Sequence, residues 1–266
     1  MNYTLITGAS YGIGEALARR CAGEGFDLVL VARSAEQLEA LAQELAQEFE
    51  ITVHPLAIDL LAPHAAEELY QTCADEGWPV RVLINNAGAG VWGPFAEVPL
   101  SEQLATMRLN EQVLVELCYR FLPMLKNETD AHILNVGSTA SYQPLPYFSV
   151  YAATKAFVRS FTRSLRVELQ PMGINVTCLN PGPTQSQFFR RAGFTQVDAS
   201  QFLMDPAEVA DGAIRGMLAH KPEVVPGFSN QLGTYLSKYL PPSLTQQVIK
   251  TYFKPRGKDV EKLTDS

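Results

Sequence analysis

Short apolar runs alternate with longer amphipathic stretches along this chain. Tyr3–Thr7, Asp27–Val31, Thr52–Ile58, Val82–Asn85, Ala131–Val136 and Asn175–Leu179 are mostly apolar throughout, the pattern of strands covered on both faces. Ile13–Glu24 (closed by Gly25), Ala35–Phe49, Ala65–Glu76, Ser101–Lys126 and Ser149–Gln170 read as helices. Ser34 stands where it can cap the second of them. The β-α-β-α order predicts an α/β fold of three layers, a doubly wound parallel sheet with helices on both faces. A ligand is then expected outside the C-terminal ends of the strands.

No low-complexity linker or short internal repeat divides the chain, so one domain is expected over residues 1–227. The tail is different. From Lys221 onward there are seven basic residues against four acidic ones, a surplus of three positive charges. Phe228, Leu232, Tyr235, Leu236 and Tyr239 follow a helical stripe, and so do Leu244, Val248, Ile249, Tyr252 and Phe253. Residues 228–266 therefore read as a helical extension of the same domain. Apolar stripes generally face a core, so the two helices are expected to pack on the domain; contact with a partner or a membrane surface is the alternative.

The composition narrows the class. The chain has 266 residues, 47% hydrophobic and 18% charged, with a formal charge of −7. That is a soluble globular protein long enough to bury a real core, and its acidity argues against a nucleic-acid partner. The N-terminus lacks a basic stretch ahead of an apolar one, and no run of about 18 apolar residues exists, so neither a signal peptide nor a membrane span is expected. The expected compartment is the cytoplasm. Cys21, Cys73, Cys118 and Cys178 are scattered, as buried thiols in a reducing compartment would be. His54, His64, His132 and His220 show no ligand spacing, so no metal site is predicted.

The first strand ends in Thr7-Gly8-Ala9-Ser10-Tyr11-Gly12-Ile13-Gly14. Gly8 allows a tight turn there. Gly12 and Gly14 let the backbone approach a pyrophosphate and the helix pack closely. The helix that follows offers free N–H groups and a positive dipole end to that anion. About 20 residues past such a turn an acidic side chain usually binds the ribose 2′-hydroxyl of NAD. Here the second strand ends in Val31-Ala32-Arg33-Ser34, without a carboxylate. A guanidinium suits a 2′-phosphate, so NADP(H) is the expected cofactor.

Tyr151 and Lys155 lie four apart at the start of a predicted helix, on one face. A cation beside a phenol favours the phenolate, so Lys155 is expected to lower the Tyr151 pKa and make it an acid or base near neutrality. Ser138 lies thirteen residues earlier, just past a strand. Asn85-Asn86-Ala87-Gly88 and Pro181-Gly182-Pro183-Thr184 also follow strands, on the predicted ligand edge.

In this order, T-G-x-x-x-G-x-G, N-N-A-G, Ser, Y-x-x-x-K and P-G resemble the short-chain dehydrogenase/reductase family over roughly Thr4 to Val225. The resemblance implies a Rossmann-type fold and a set of roles. Asn110 would hold a proton-relay water, Ser138 would orient the substrate carbonyl, and Tyr151 would donate the proton during reduction. Lys155 would bind the nicotinamide ribose and tune Tyr151. The residues of the glycine turn (Gly8, Ser10, Tyr11, Gly12, Ile13, Gly14) with Arg33 and Ser34 would hold the adenosine phosphates. Asp59 and Leu60 would flank the adenine, and Asn86, Ala87 and Gly88 would line the adenosine-ribose region. Pro181, Gly182 and Thr184 would cradle the nicotinamide, with Ser186 standing where the family has Thr. The chain departs from many NADP-dependent members at Tyr11, where they carry a basic residue, so the phosphate preference rests on Arg33.

The implied activity is NADPH-dependent reduction of a carbonyl. An NAD-dependent alcohol or hydroxysteroid dehydrogenase and a non-catalytic dinucleotide-binding redox sensor are the rival readings. Gln185–Met204 is where the family places a substrate lid, and it holds Phe188, Phe189, Phe194, Phe202, Leu203 and Met204. With Val91, Trp92 and Pro144–Phe148 it predicts an apolar cleft for a lipophilic ketone, aldehyde or 3-oxoacyl group. Arg190 and Arg191 read as a solvated pair, or as partners of an anionic acyl carrier. The family pairs its two long helices between subunits, so a homodimer or homotetramer is expected.

Overall fold

The computed structural model describes residues 2–194 and 203–237. The six apolar runs form β1 (Tyr3–Thr7), β2 (Asp27–Ala32), β3 (Val53–Ala57), β4 (Val80–Asn85), β5 (Ala131–Val136) and β6 (Ile174–Leu179), and a two-residue β7 (Glu223–Val224) completes the sheet. The strand order is β3-β2-β1-β4-β5-β6-β7, with every neighbouring pair parallel. Between them run α1 (Gly12–Ala22), α2 (Ala35–Phe49), α3 (Ala65–Asp75), α4 (Leu100–Met107), α5 (Val113–Leu125), α6 (Ser149–Leu169), α7 (Phe188–Arg191), α8 (Pro206–Leu218) and α9 (Phe228–Ser237).

The strands are apolar throughout because both faces are covered. Ile6, Leu28, Leu30 and Ile84 point to one face and pack with Leu17 of α1, Leu38 of α2 and Ile214 of α8. Their neighbours Leu5, Val29, Val31 and Leu83 point to the other and pack with Leu69 of α3, Leu117 and Phe121 of α5 and Val158 of α6. Each such fully buried side chain contributes on the order of 1.5–3 kcal/mol. The direction of strand progression reverses between β1 and β4, which opens a crevice at their C-terminal ends.

Two expectations are corrected. Ser101–Lys126 is not one regular helix: a π-helical turn over Arg108–Gln112 separates α4 from α5. The amphipathic pattern runs through this extra residue per turn without a break, so periodicity could not reveal it. The stripe on α9 does not face the core. Phe228 is 80% exposed and Tyr235 59%, with Leu232 and Leu236 also exposed, and Thr234 is the residue of this helix that is buried. Tyr239 and the second stripe lie outside the described residues, as does Phe202. No helix among the described residues is long and apolar enough to cross a membrane.

Candidate active site

A cavity of about 970 Å³ occupies the crevice and runs from Arg33 and Ser34 at the end of β2 to Tyr151 on α6. Gly8, Ser10, Tyr11, Ile13, Gly14, Asp59, Leu60, Asn86, Ala87, Gly88, Ser138, Lys155, Pro181, Gly182, Thr184 and Ser186 also line it. Gly12 and Asn110 are the two proposed site residues that lie behind this wall.

The glycine turn is built as its sequence requires. Gly8 and Gly12 take φ of +66° and +56°, in the left-handed region. A Cβ on Gly14 would collide with the Gly8 carbonyl and with Asn86, so only glycine lets α1 start this close to β1. The turn is anchored from β4: Thr7 Oγ1 accepts from the N–H groups of Asn86 and Ala87, both at 3.0 Å, and Asn86 Nδ2 donates to Thr7 O and Gly8 O. The Asn86 amide is thus spent on holding the turn. Ser34 occupies the N-cap position of α2 without capping it; its Oγ instead accepts from the Tyr11 hydroxyl at 3.3 Å. A Cβ on Gly12 would stand 2.8 Å from Ser186 Cβ, so the segment after β6 lies directly over the turn. The Ser186 hydroxyl accepts from the Phe188 N–H and starts α7.

These residues fit a dinucleotide. The N-terminus of α1 has no side-chain cap, leaving its first N–H groups to an anion in the cavity. Arg33 is exposed at the cavity rim, and the end of β2 carries no carboxylate.

At the other end, Ser138 follows β5 and Tyr151 lies in the first turn of α6, and both line the cavity. The Tyr151 ring stacks on Phe148, with centroids 4.3 Å apart, and Phe188 of α7 lies 5.2 Å away. Burial pushes the phenol up to about 12, with Ser138 opposing it. The expected lowering by Lys155 does not appear. The ammonium stands 5.7 Å from the ring centroid and donates to Val136 O at 2.8 Å, while burial pulls Lys155 itself down to about 8. Desolvation is the largest cause at both groups.

Asn110 sits in the π-turn, 1% exposed. Its Oδ1 accepts from Ala89 N, and its Nδ2 donates to Ala89 O and Thr154 Oγ1, all at 2.8–2.9 Å. The side chain locks the loop after β4 onto α6.

Sequence reasoning missed the support behind Ser138. The Ser138 N–H donates to Asn180 Oδ1 at 3.2 Å, and Asn180 Nδ2 donates to Glu223 Oε1 at 2.7 Å. Glu223 also accepts from Tyr142 at 2.6 Å and Arg159 at 2.5 Å. Burial alone would raise the Glu223 pKa; Arg159 and Tyr142 more than offset it and hold the carboxyl below its ordinary value. Spacing also missed Asp130, His132 and His220, whose ligating atoms all lie within 4.8 Å of one another. They stand at the start of β5 and beyond α8, away from the cavity.

The comparisons agree with the geometry. The short chain dehydrogenase profile matches residues 2–196. Sulfoacetaldehyde reductase 2 of Chromohalobacter salexigens is 37% identical over 186 residues, 69% of this chain and 73% of that protein. The NADP-dependent 3-hydroxy acid dehydrogenase YdfG of Salmonella typhi is 35% identical over 179 residues, 67% of this chain and 71% of that protein. A short-chain dehydrogenase from Sphingobium yanoikuyae, solved in complex with NADPH, superposes with a TM-score of 0.81 at 30% identity, covering 97% of this chain and 98% of that one. The chain belongs to the short-chain dehydrogenase family, oxidoreductases that interconvert alcohols and carbonyls with a nicotinamide dinucleotide.

Proposed function

We propose that the chain is an NADPH-dependent reductase of a lipophilic ketone, aldehyde or 3-oxoacyl carbonyl. The observation that carries this reading is the single cavity with Arg33 at one end and the Ser138–Tyr151 pair at the other. A guanidinium where a carboxylate would select NAD favours the 2′-phosphate. The names of YdfG and the Sphingobium structure point the same way.

A nicotinamide dinucleotide held along this cavity would supply the hydride. Tyr151 is protonated at neutral pH, since burial holds it near 12, and it donates its Oη proton to the carbonyl oxygen as negative charge develops there. Ser138 Oγ is the second donor to that oxygen. Lys155 uses one N–H on Val136 O and has others for the nicotinamide ribose hydroxyls. Both Asn110 Nδ2 protons are taken by Ala89 O and Thr154 Oγ1, while its Oδ1 keeps one acceptor site beside the Ala89 N–H for a relay water. Phe148, Phe188, Phe189 and Leu145 beside Tyr151 exclude water and suit an apolar substrate. Exposed Leu104 and Met107 on α4, Tyr119 on α5, and Phe157 and Val167 on α6 support pairing with a second copy through these helices; a monomer in light scattering would contradict it.

Parallel titration of the protein with NADPH and NADH tests the cofactor, repeated on Arg33→Asp. The wild-type protein binds NADPH more tightly, and the variant loses about tenfold or more for NADPH and little for NADH. Equal binding of both cofactors by the wild-type protein would contradict the reading.

A further inference from the structure

Tyr11 in the glycine turn is uncharged, yet a cation reaches it from elsewhere in the chain. Arg191, the last residue of α7, lies over the Tyr11 ring with its guanidinium carbon 4.5 Å from the centroid. The Tyr11 hydroxyl in turn donates to Ser34 Oγ, beside Arg33. Tyr11, Arg33, Ser34 and Arg191 all line the same cavity. Among the described residues no carboxylate pairs with Arg191: its guanidinium has the aromatic face and no ion-pair partner. A guanidinium stacked on a ring is held in place without using its N–H donors, which leaves the planar fork for a ligand.

We propose that Arg191 is a second reader of the adenosine 2′-phosphate, gripping it together with Arg33 and Ser34. This rests on the NADPH reading above. The phenol-to-serine hydrogen bond ties Tyr11 to the end of β2, so a cation on the Tyr11 face is within a side chain's reach of the group that Arg33 contacts. Two guanidiniums supply two positive charges to a dianionic phosphate, and among the described residues no acidic partner competes for Arg191. The same helix carries Phe188 against Tyr151. A four-residue element therefore touches the phosphate-reading end of the cavity with one side chain and the catalytic tyrosine with another.

The test is calorimetric titration of cofactor-free wild-type, Arg191→Ala and Arg191→Lys protein with NADPH, NADH and the fragment 2′,5′-ADP. Arg191 is exposed, so melting temperatures of the variants should match the parent and certify their fold. The expected result is a loss of about tenfold or more in NADPH and 2′,5′-ADP affinity for Arg191→Ala, with NADH changed less than twofold. Arg191→Lys retains part of the affinity, since it keeps the charge without the fork. Equal losses for NADPH and NADH would place Arg191 on the pyrophosphate and overturn the assignment. No loss for either would leave it a solvated cation and overturn it too, with the NADPH reading intact. A wild-type protein without NADPH preference would remove both readings together.

Discussion

Lys155 Nζ donates to the carbonyl of Val136 at 2.8 Å, so the ammonium of α6 closes the end of β5 inside the cavity. Its pKa near 8 reflects burial, which disfavours the charge. The folded value lies below the ordinary 10.5, so the unfolded chain binds the proton more tightly between about pH 8 and 10.5. Below pH 8 the charged site costs stability, and that cost fades as pH rises through the window. Lys155→Met is therefore expected to abolish turnover while stabilising the cofactor-free protein by about 1–3 kcal/mol at pH 7, after allowing for the lost hydrogen bond to Val136. Denaturant unfolding at pH 7 and pH 9.5 checks this: the advantage of the variant shrinks at the higher pH. A variant less stable than the parent at pH 7 would contradict it.

Asn180 acts through Ser138. Its Oδ1 accepts from the Ser138 N–H, and its Nδ2 is fixed by Glu223. Asn180→Ala leaves that N–H and one Glu223 lone pair unpaired and frees Ser138 to drift. Turnover is expected to fall about 10- to 100-fold with cofactor affinity within twofold of the parent. A fall in cofactor affinity that matches the loss of turnover would assign Asn180 a general structural role instead.

The start of β5 is expected to make the fold sensitive to acid. Burial lowers the His132 pKa, with Arg81 and His220 adding to the effect and Asp130 opposing it. Burial lowers His54 as well, against Asp27 and Glu76. For a histidine depressed in the folded state, the unfolded chain takes up the proton first, so stability falls as pH drops below about 6.5. His132→Asn is expected to flatten this slope. Unfolding midpoints measured from pH 7.5 to pH 5 provide the check; parallel curves for parent and variant would remove His132 as a source.

Much of this architecture was legible because the physics was local. Strands such as Leu28–Ala32 are apolar at every position, since α-helices cover both faces, and the glycine turn is written in consecutive residues. Tyr151 and Lys155 share a helix face by spacing alone. What spacing cannot express remained hidden. Glu223 and Asn180 are 43 residues apart, and Asp130, His132 and His220 meet only through the sheet. The balance between burial and charge at Tyr151 depends on Phe148 and Phe188 packed around it, so its direction could not be read from the Lys155 spacing. Helix α8 carries its start signal locally: Asp205 caps it and Pro206 takes its first position.

In the proposed reaction Tyr151 holds and delivers the proton while the dinucleotide site stands on other residues. Tyr151→Phe tests it most directly, because it removes one hydroxyl and keeps the ring packed on Phe148. NADPH affinity within about twofold of the parent, with carbonyl reduction reduced by about 10²-fold or more, is the expected result. Substantial remaining reductase activity in a variant that binds NADPH normally would contradict the account.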